Sequence, residues 1–186
     1  MPSETAIYQI KVTLEDSKPP IWRRILVRSD ITLDKLHRIL QVVMGWGDYH
    51  LHQFIVGRTH YGEPHPDYEG FLEMHDERQV KLNQIVPGEG FKFRYEYDFG
   101  DSWLHQVLVE KILPSEPGQH YPVCIKGQRA CPPEDVGGIW GYYDFLQAIQ
   151  DPHHPEHDEY LEWIGGEFDP EEFDLDEVNQ ALRTLR

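Results

Sequence analysis

Two histidines separated by one residue, His50 and His52, and a later group of Asp98, Asp101 and His105 have the side chains that suit metal chemistry. Side chains at i and i+2 of an extended strand point to one face, so His50 and His52 would present two imidazoles together. Two imidazoles with a carboxylate from another strand make a workable set for zinc, manganese or iron, so a divalent transition metal is the cofactor this pattern points to. With an open coordination position, the metal would lower the pKa of bound water and serve a hydrolase. The competing reading has each histidine packed and hydrogen-bonded, since eleven histidines in 186 residues make chance pairs common.

The turn Asp98-Phe99-Gly100-Asp101 poses its own question. A two-residue loop at Phe99-Gly100 would set the two aspartates opposite one another, and facing like charges destabilise a hairpin. A cation, a nearby Arg or His, or backbone N–H donors would have to compensate; alternatively each aspartate caps the turn through its side chain. In that register His105 falls on the face of Arg94, Glu96 and Trp103. Asp-Phe-Gly also occurs in protein kinases, but the chain has neither a Gly-rich phosphate loop nor a His-Arg-Asp catalytic segment. A candidate pocket then comprises Asp98, Asp101, Trp103 and His105, with Glu134 and Asp135 from the loop Pro132-Pro133-Glu134-Asp135-Val136-Gly137-Gly138. That loop either lines a pocket or clamps the following helices to the sheet. His153, His154 and His157 cluster beside Glu156, Asp158 and Glu159, where a solvated helix end competes with a second cation site. Cys124 and Cys131, with six residues between them, match neither a zinc knuckle nor a Cys-x-x-Cys redox pair. No Gly-x-Ser-x-Gly elbow, Walker loop or dinucleotide fingerprint occurs.

The elements that would position these groups follow from periodicity. Residues 5 to 15 alternate, with Ala6, Tyr8, Ile10, Val12 and Leu14 on one side, and Ile21 to Arg28 returns as a second strand. Thr32 and Gly45 bracket a helix over residues 33 to 44, in which Leu33, Leu36, Ile39, Leu40 and Val43 recur at helical spacing. Leu51 to Val56 reads as a strand, residues 57 to 90 as short strands and loops. Phe91, Phe93, Tyr95 and Tyr97 share one face of a strand whose partner is Trp103 to Ile112. The prolines from Pro114 to Pro133 predict an irregular, extended connection. Three helical pieces end the chain: residues 141 to 150, a segment starting at Pro155, and one capped by Asp174 with Glu177 in capping-box position. The order predicts an α+β fold: a mixed or antiparallel sheet with a long hairpin, a helix after the first hairpin in a β-grasp-like ββαβ core, and C-terminal helices.

Composition narrows the function. Apolar residues make up 39% of the chain, enough for a packed interior, so the mean hydropathy of -0.60 reflects a charged surface. No stretch of about 18 apolar residues occurs and no basic-then-apolar leader opens the chain, which predicts a cytoplasmic protein without a membrane role and with cysteines as thiols or metal ligands. Of the net charge of -16, residues 130 to 186 carry -13, from 15 acids against 2 bases. Such a block opposes direct binding to nucleic acid, which relies on Lys and Arg displacing counterions, and favours a basic protein or a cation. A plain solvated face that maintains solubility is the alternative.

Several motifs in order carry a family resemblance: Pro19-Pro20-Ile21-Trp22-Arg23-Arg24, Leu36-His37, Gly45-Trp46, His50-Leu51-His52-Gln53-Phe54, Tyr97-Asp98-Phe99-Gly100-Asp101-Ser102-Trp103 with His105, and Cys131-Pro132-Pro133-Glu134-Asp135-Val136-Gly137-Gly138. Together they resemble the plasmid pRiA4b ORF-3-like family, which includes insertion-element passenger proteins labelled TnpR. The resemblance implies one compact α+β domain over residues 1 to 186, helical and acidic from about residue 139, often encoded near mobile DNA elements and without an established activity. A serine resolvase needs a nucleophilic serine amid arginines near its N-terminus and a basic DNA-binding tail, and this chain ends in acid. The leading expectation is a non-enzymatic binding or accessory module. A metal-dependent hydrolase using the His/Asp group and a DNA-binding recombination accessory are the alternatives.

Overall fold

A computed structural model describes residues 5 to 64 and 74 to 185. Residues 65 to 73, part of the stretch predicted as short strands and loops, lie outside the described residues. The fold is α+β. In chain order the elements are β1 (Ile7–Leu14), β2 (Trp22–Arg28), α1 (Leu33–Met44), β3 (His52–Val56), β4 (Thr59–Gly62), β5 (Met74–Asp76), a 3-10 turn (Glu77–Gln79), α2 (Leu82–Ile85), β6 (Lys92–Tyr97), β7 (Trp103–Leu113), β8 (Val123–Gln128), α3 (Gly138–Gln150), α4 (His157–Ile164) and α5 (Leu175–Thr184). The strands form one sheet in the order β5-β4-β3-β6-β7-β1-β2-β8. Among the described residues every pairing is antiparallel except β4 with β5. The strand after α1 does not lie beside β1, because β6 and β7 intervene.

Helix α1 forms where its periodicity predicts, and Gly45 ends it in the left-handed region at φ 109°. Thr32 occupies the N-cap position without a side-chain cap bond. The apolar stripe of α1 joins Ile10, Val12, Ile25, Phe54, Tyr95 and Val107 in one core. The opposite faces of the same strands keep Lys11, Arg24 and Gln106 partly exposed, the alternation of a sheet buried on one side. Arg23 breaks that pattern by lying on the buried face.

Two expectations are corrected. The connection after β7 contains a six-residue edge strand, β8, which pairs with β2. Its Val-Cys-Ile-Lys-Gly-Gln sequence has little alternation, and the surrounding prolines outweighed it. Edge strands need cover, and α5 supplies it: Asn179 accepts from the Cys124 N–H and donates to the Cys124 carbonyl, each at 2.8 Å. The second correction concerns the β6–β7 hairpin, whose last pair is Tyr97 with Trp103, so its loop holds five residues rather than two. A one-residue change of register turns every side chain to the other face. His105 therefore pairs with Tyr95 and joins the buried aromatic face, instead of lying with Arg94 and Glu96.

Candidate functional site

The hairpin loop resolves its own charge problem. Asp98 adopts φ 62° and Ser102 φ 57°, both in the left-handed region. Asp98 Oδ1 accepts from the N–H groups of Gly100 at 3.0 Å and Asp101 at 3.3 Å, and its carbonyl accepts from Ser102 N–H at 2.5 Å. One aspartate thus caps the whole turn, and the two carboxylates are not cross-strand partners. Asp101 faces away to α3, where its Oδ2 accepts from Gly137 N–H at 3.1 Å. The next residue, Gly138, has φ +75°, and a Cβ there would lie 2.6 Å from the Asp101 carbonyl oxygen. Gly138→Ala is expected to cost about 2 kcal/mol through backbone strain and this clash. A thermal melt that moves by less than a degree would show that the loop and α3 do not depend on this close approach.

Asp98 Oδ2 is left to face His50. The ring Nε2 of His50 lies 3.6 Å from it and 2.8 Å from Asp135 Oδ1. Neither contact has hydrogen-bond geometry, so this solvent-shielded nitrogen has carboxylate neighbours but no hydrogen-bond partner among the described residues. Glu134 accepts from Gly47 N–H through Oε1 at 3.4 Å, whereas its buried Oε2 has no hydrogen-bond partner among the described residues. Trp103 is buried beside Trp46, ring centroids 5.0 Å apart, and its indole N–H also lacks a partner among the described residues.

His105 is committed elsewhere. It is fully buried, its Nδ1–H donates to the Tyr95 carbonyl at 3.0 Å, and its Nε2 accepts from the Trp46 indole N–H at 3.2 Å. Both nitrogens are thus used by the core. Burial depresses its pKa to about 4, and Arg23 acts in the same direction.

His52 lies with residues the sequence reading left out. Its Nε2 contacts both oxygens of Glu77, at 2.9 and 2.8 Å, and its ring stacks on that of His37 with centroids 3.4 Å apart and planes 7° apart. His37 Nε2 lies 2.9 Å from Asp48 Oδ1, and Nδ1 lies 2.6 Å from the Tyr95 hydroxyl, which accepts from Gln41 Nε2 at 2.8 Å. Gln41 also accepts from Asp48 N–H through Oε1 at 2.8 Å. Burial, and then the neighbouring His52, depress the pKa of His37 to about 4, which keeps the ring neutral at pH 7. His37, Asp48, His50, His52 and Glu77 all line one cavity of about 410 Å³.

The expected set of His50, His52, Asp98, Asp101 and His105 is therefore divided. His50 joins Asp98 and Asp135, His52 joins His37, Asp48 and Glu77, Asp101 serves the start of α3, and His105 serves the core. One signal for the missed histidine was present: His37 and Gln41 are polar residues four apart on the buried stripe of α1, a spacing that places both on one partner. Nothing local marks Asp48 or Glu77, which reach the cluster from a loop and a 3-10 turn. The histidines near α4 are tied into turns: His157 Nδ1–H donates to the Ala148 carbonyl at 2.7 Å, and His154 Nδ1 accepts from Glu156 N–H at 3.0 Å. Cys124 and Cys131 are both free, and burial pushes both thiols up, away from the reactive thiolate.

Comparison with known proteins agrees with this architecture. The chain is 38% identical over 183 residues to the uncharacterized protein y4hQ of Sinorhizobium fredii, covering 97% of this chain and 92% of that one. A crystal structure of a protein of unknown function from Methanosarcina mazei Go1 superposes with a TM-score of 0.82 at 37% identity, covering 95% of this chain and 99% of that one. No helix among the described residues is long and apolar enough to cross a membrane. The family model described as plasmid pRiA4b ORF-3-like protein matches residues 6 to 177, and the chain belongs to that family.

Proposed function

We propose that this protein is a non-enzymatic binding module that docks a basic segment of a partner protein on its acidic C-terminal helices. The observation that carries the reading is the exposure of two large aromatics inside the acidic block, Trp140 at 71% and Trp163 at 48%. Trp163 borders a cleft of about 310 Å³ that Tyr160, Glu156, Glu159 and Asp135 also line. A carboxylate-rimmed aromatic cleft suits an arginine or lysine side chain, whose apolar stem packs on the rings while its charged head meets the acids. The net charge of -13 over residues 130 to 186 would steer such a partner and repel nucleic acid. An accessory role beside mobile DNA elements, and a cytoplasmic setting, belong to the same proposal; the plasmid origin in the family description supports the first and the two free cysteines the second.

The test is fluorescence anisotropy with a labelled arginine-rich peptide and a glutamate-for-arginine control peptide. Binding of the basic peptide alone is expected, weakening with added salt as exposed charges are screened. Trp163→Ala combined with Glu156→Gln and Glu159→Gln should reduce affinity at least ~10-fold, the effect of losing about 1.4 kcal/mol of contact. Equal affinity of the triple variant and the parent protein would overturn the docking site.

A further inference from the structure

We infer that His37, Asp48 and His52, with Glu77 held against His52, form a binding site for a single divalent transition-metal ion, independent of the acidic docking face. The three ligand side chains and Glu77 arrive from four places in the fold: α1, the loop that follows it, β3 and the 3-10 turn. Ligand atoms of His37, Asp48 and His52 all lie within 4.8 Å of one another, and both Glu77 oxygens lie within 2.9 Å of His52 Nε2. The site is closed on the protein side and open on the other. His37, His52 and Glu77 are buried, whereas the side chain of Asp48 is 58% exposed and borders the 410 Å³ cavity.

The surrounding groups do what the outer partners of a metal site do. A ligating imidazole needs its second nitrogen held so that ring orientation and tautomer are fixed. Tyr95 holds Nδ1 of His37 from within the core, and Gln41 binds both the Tyr95 hydroxyl and the Asp48 backbone. The hydroxyl can rotate from donor to acceptor, which lets the ring proton move to Nδ1 and frees Nε2 as a ligand. His37 Nε2 faces the Asp48 carboxylate at 2.9 Å, so a bound ion would sit between these two groups in place of a shared proton. The lone pairs lie in the ring planes, so the stacked imidazoles must splay toward the cavity to meet one ion.

Ligand chemistry selects the ion. Two imidazoles and a carboxylate suit zinc, iron, manganese or cobalt, whereas magnesium and calcium favour all-oxygen sites and copper(I) favours sulfur. The carboxylates of Asp48 and the adjacent Glu77 balance the charge of a divalent ion, which favours its transfer from water into a partly buried site.

The experiment uses full-length protein without a histidine tag, stripped with a chelator and titrated with cobalt(II) and zinc(II) in excess magnesium. One equivalent should bind, with visible cobalt d–d absorption, a thermal shift on zinc addition, and displaced imidazole ring resonances as the stack opens. Asp48→Asn, at an exposed ligand where folding is preserved, should weaken binding at least ~10-fold, and Tyr95→Phe should weaken it by a similar factor through the outer partner. His50→Gln should leave binding unchanged. Absence of one-equivalent binding would overturn the site. So would loss in His50→Gln with Asp48→Asn unaffected, which would move the ion to the neighbouring His50, Asp98 and Asp135 group. Because the acidic helices contribute no ligand, the peptide assay and the metal titration fail or succeed separately.

Discussion

Replacing Arg23 by methionine is expected to cost about 3–4 kcal/mol, a large part of the roughly 5–15 kcal/mol by which a domain of this kind is stable. Arg23 is 1% exposed, yet among the described residues its partners are all backbone carbonyls rather than carboxylates. Nε donates to Val43 at 2.6 Å, Nη1 to Trp22 at 2.8 Å and Gln128 at 3.0 Å, and Nη2 to Met44 at 3.4 Å. Val43 and Met44 end α1, so the guanidinium sits at the negative end of the helix dipole and satisfies carbonyls the helix leaves open. The same side chain joins β2 to β8 through Gln128, and its guanidinium carbon lies 4.2 Å from the Phe173 ring centroid. Methionine matches the stem but donates nothing, so several buried carbonyls lose partners together. Burial depresses the pKa of Arg23, a desolvation cost that the substitution relieves and that keeps the expected loss from being larger. Urea unfolding at pH 7.5 should show a lower midpoint with the slope unchanged. Arg23→Lys should recover part of the loss, since an ammonium carries the charge without the planar fork. A change under about 1 kcal/mol for methionine would mean that water replaces the guanidinium.

The second large effect is loss of stability in mild acid. His105 binds a proton near pH 6.5 in the unfolded chain but only near pH 4 in the folded one. The cause is burial, and the geometry agrees: Nε2 accepts the Trp46 N–H, so a proton on Nε2 would confront another donor. Between these values the unfolded state binds more protons, so stability falls as pH drops from about 6.5 to about 4 and levels off below. The contribution is on the order of 3 kcal/mol for this residue. His37 acts in the same direction, with the same starting value and a folded value also near 4. Chemical denaturation at pH 7.5, 5.5 and 4.5 should therefore show a steady decline. His105 ring resonances in NMR should report the neutral Nδ1–H tautomer down to about pH 5. A ring that titrates near pH 6.5 would contradict the buried pairing with Trp46.

Why the fold was largely legible is clear from particular segments. Alternation in residues 5 to 15 and 91 to 97, and the helical spacing of Leu33, Leu36, Ile39 and Val43, are local patterns that need no knowledge of partners. Asp174 caps α5 by accepting from Glu177 N–H at 3.1 Å, as its sequence context predicts. The site was less legible, because a hairpin's faces depend on loop length. The choice between two and five loop residues at Asp98 moved His105 from the polar face into the core. Strand β8 was hidden for a related reason: its pairing with β2 and its cover by Asn179 are both long-range.

The sequence by itself determined that His50 and His52 are two apart, that a hairpin turns around Phe99-Gly100, and that the C-terminal third is acidic. These features depend on neighbours along the chain, where steric and periodic rules act directly. Only the tertiary structure decided which histidines meet which acids. His37, Asp48 and Glu77 reach His52 because α1 packs into the core with the sheet and against the 3-10 turn after β5, a juxtaposition set by core packing. The same packing gave Asp101 to α3 and His105 to Trp46. Residues of identical type thus took different chemical roles according to the solvent, partners and dielectric each one meets in the folded chain.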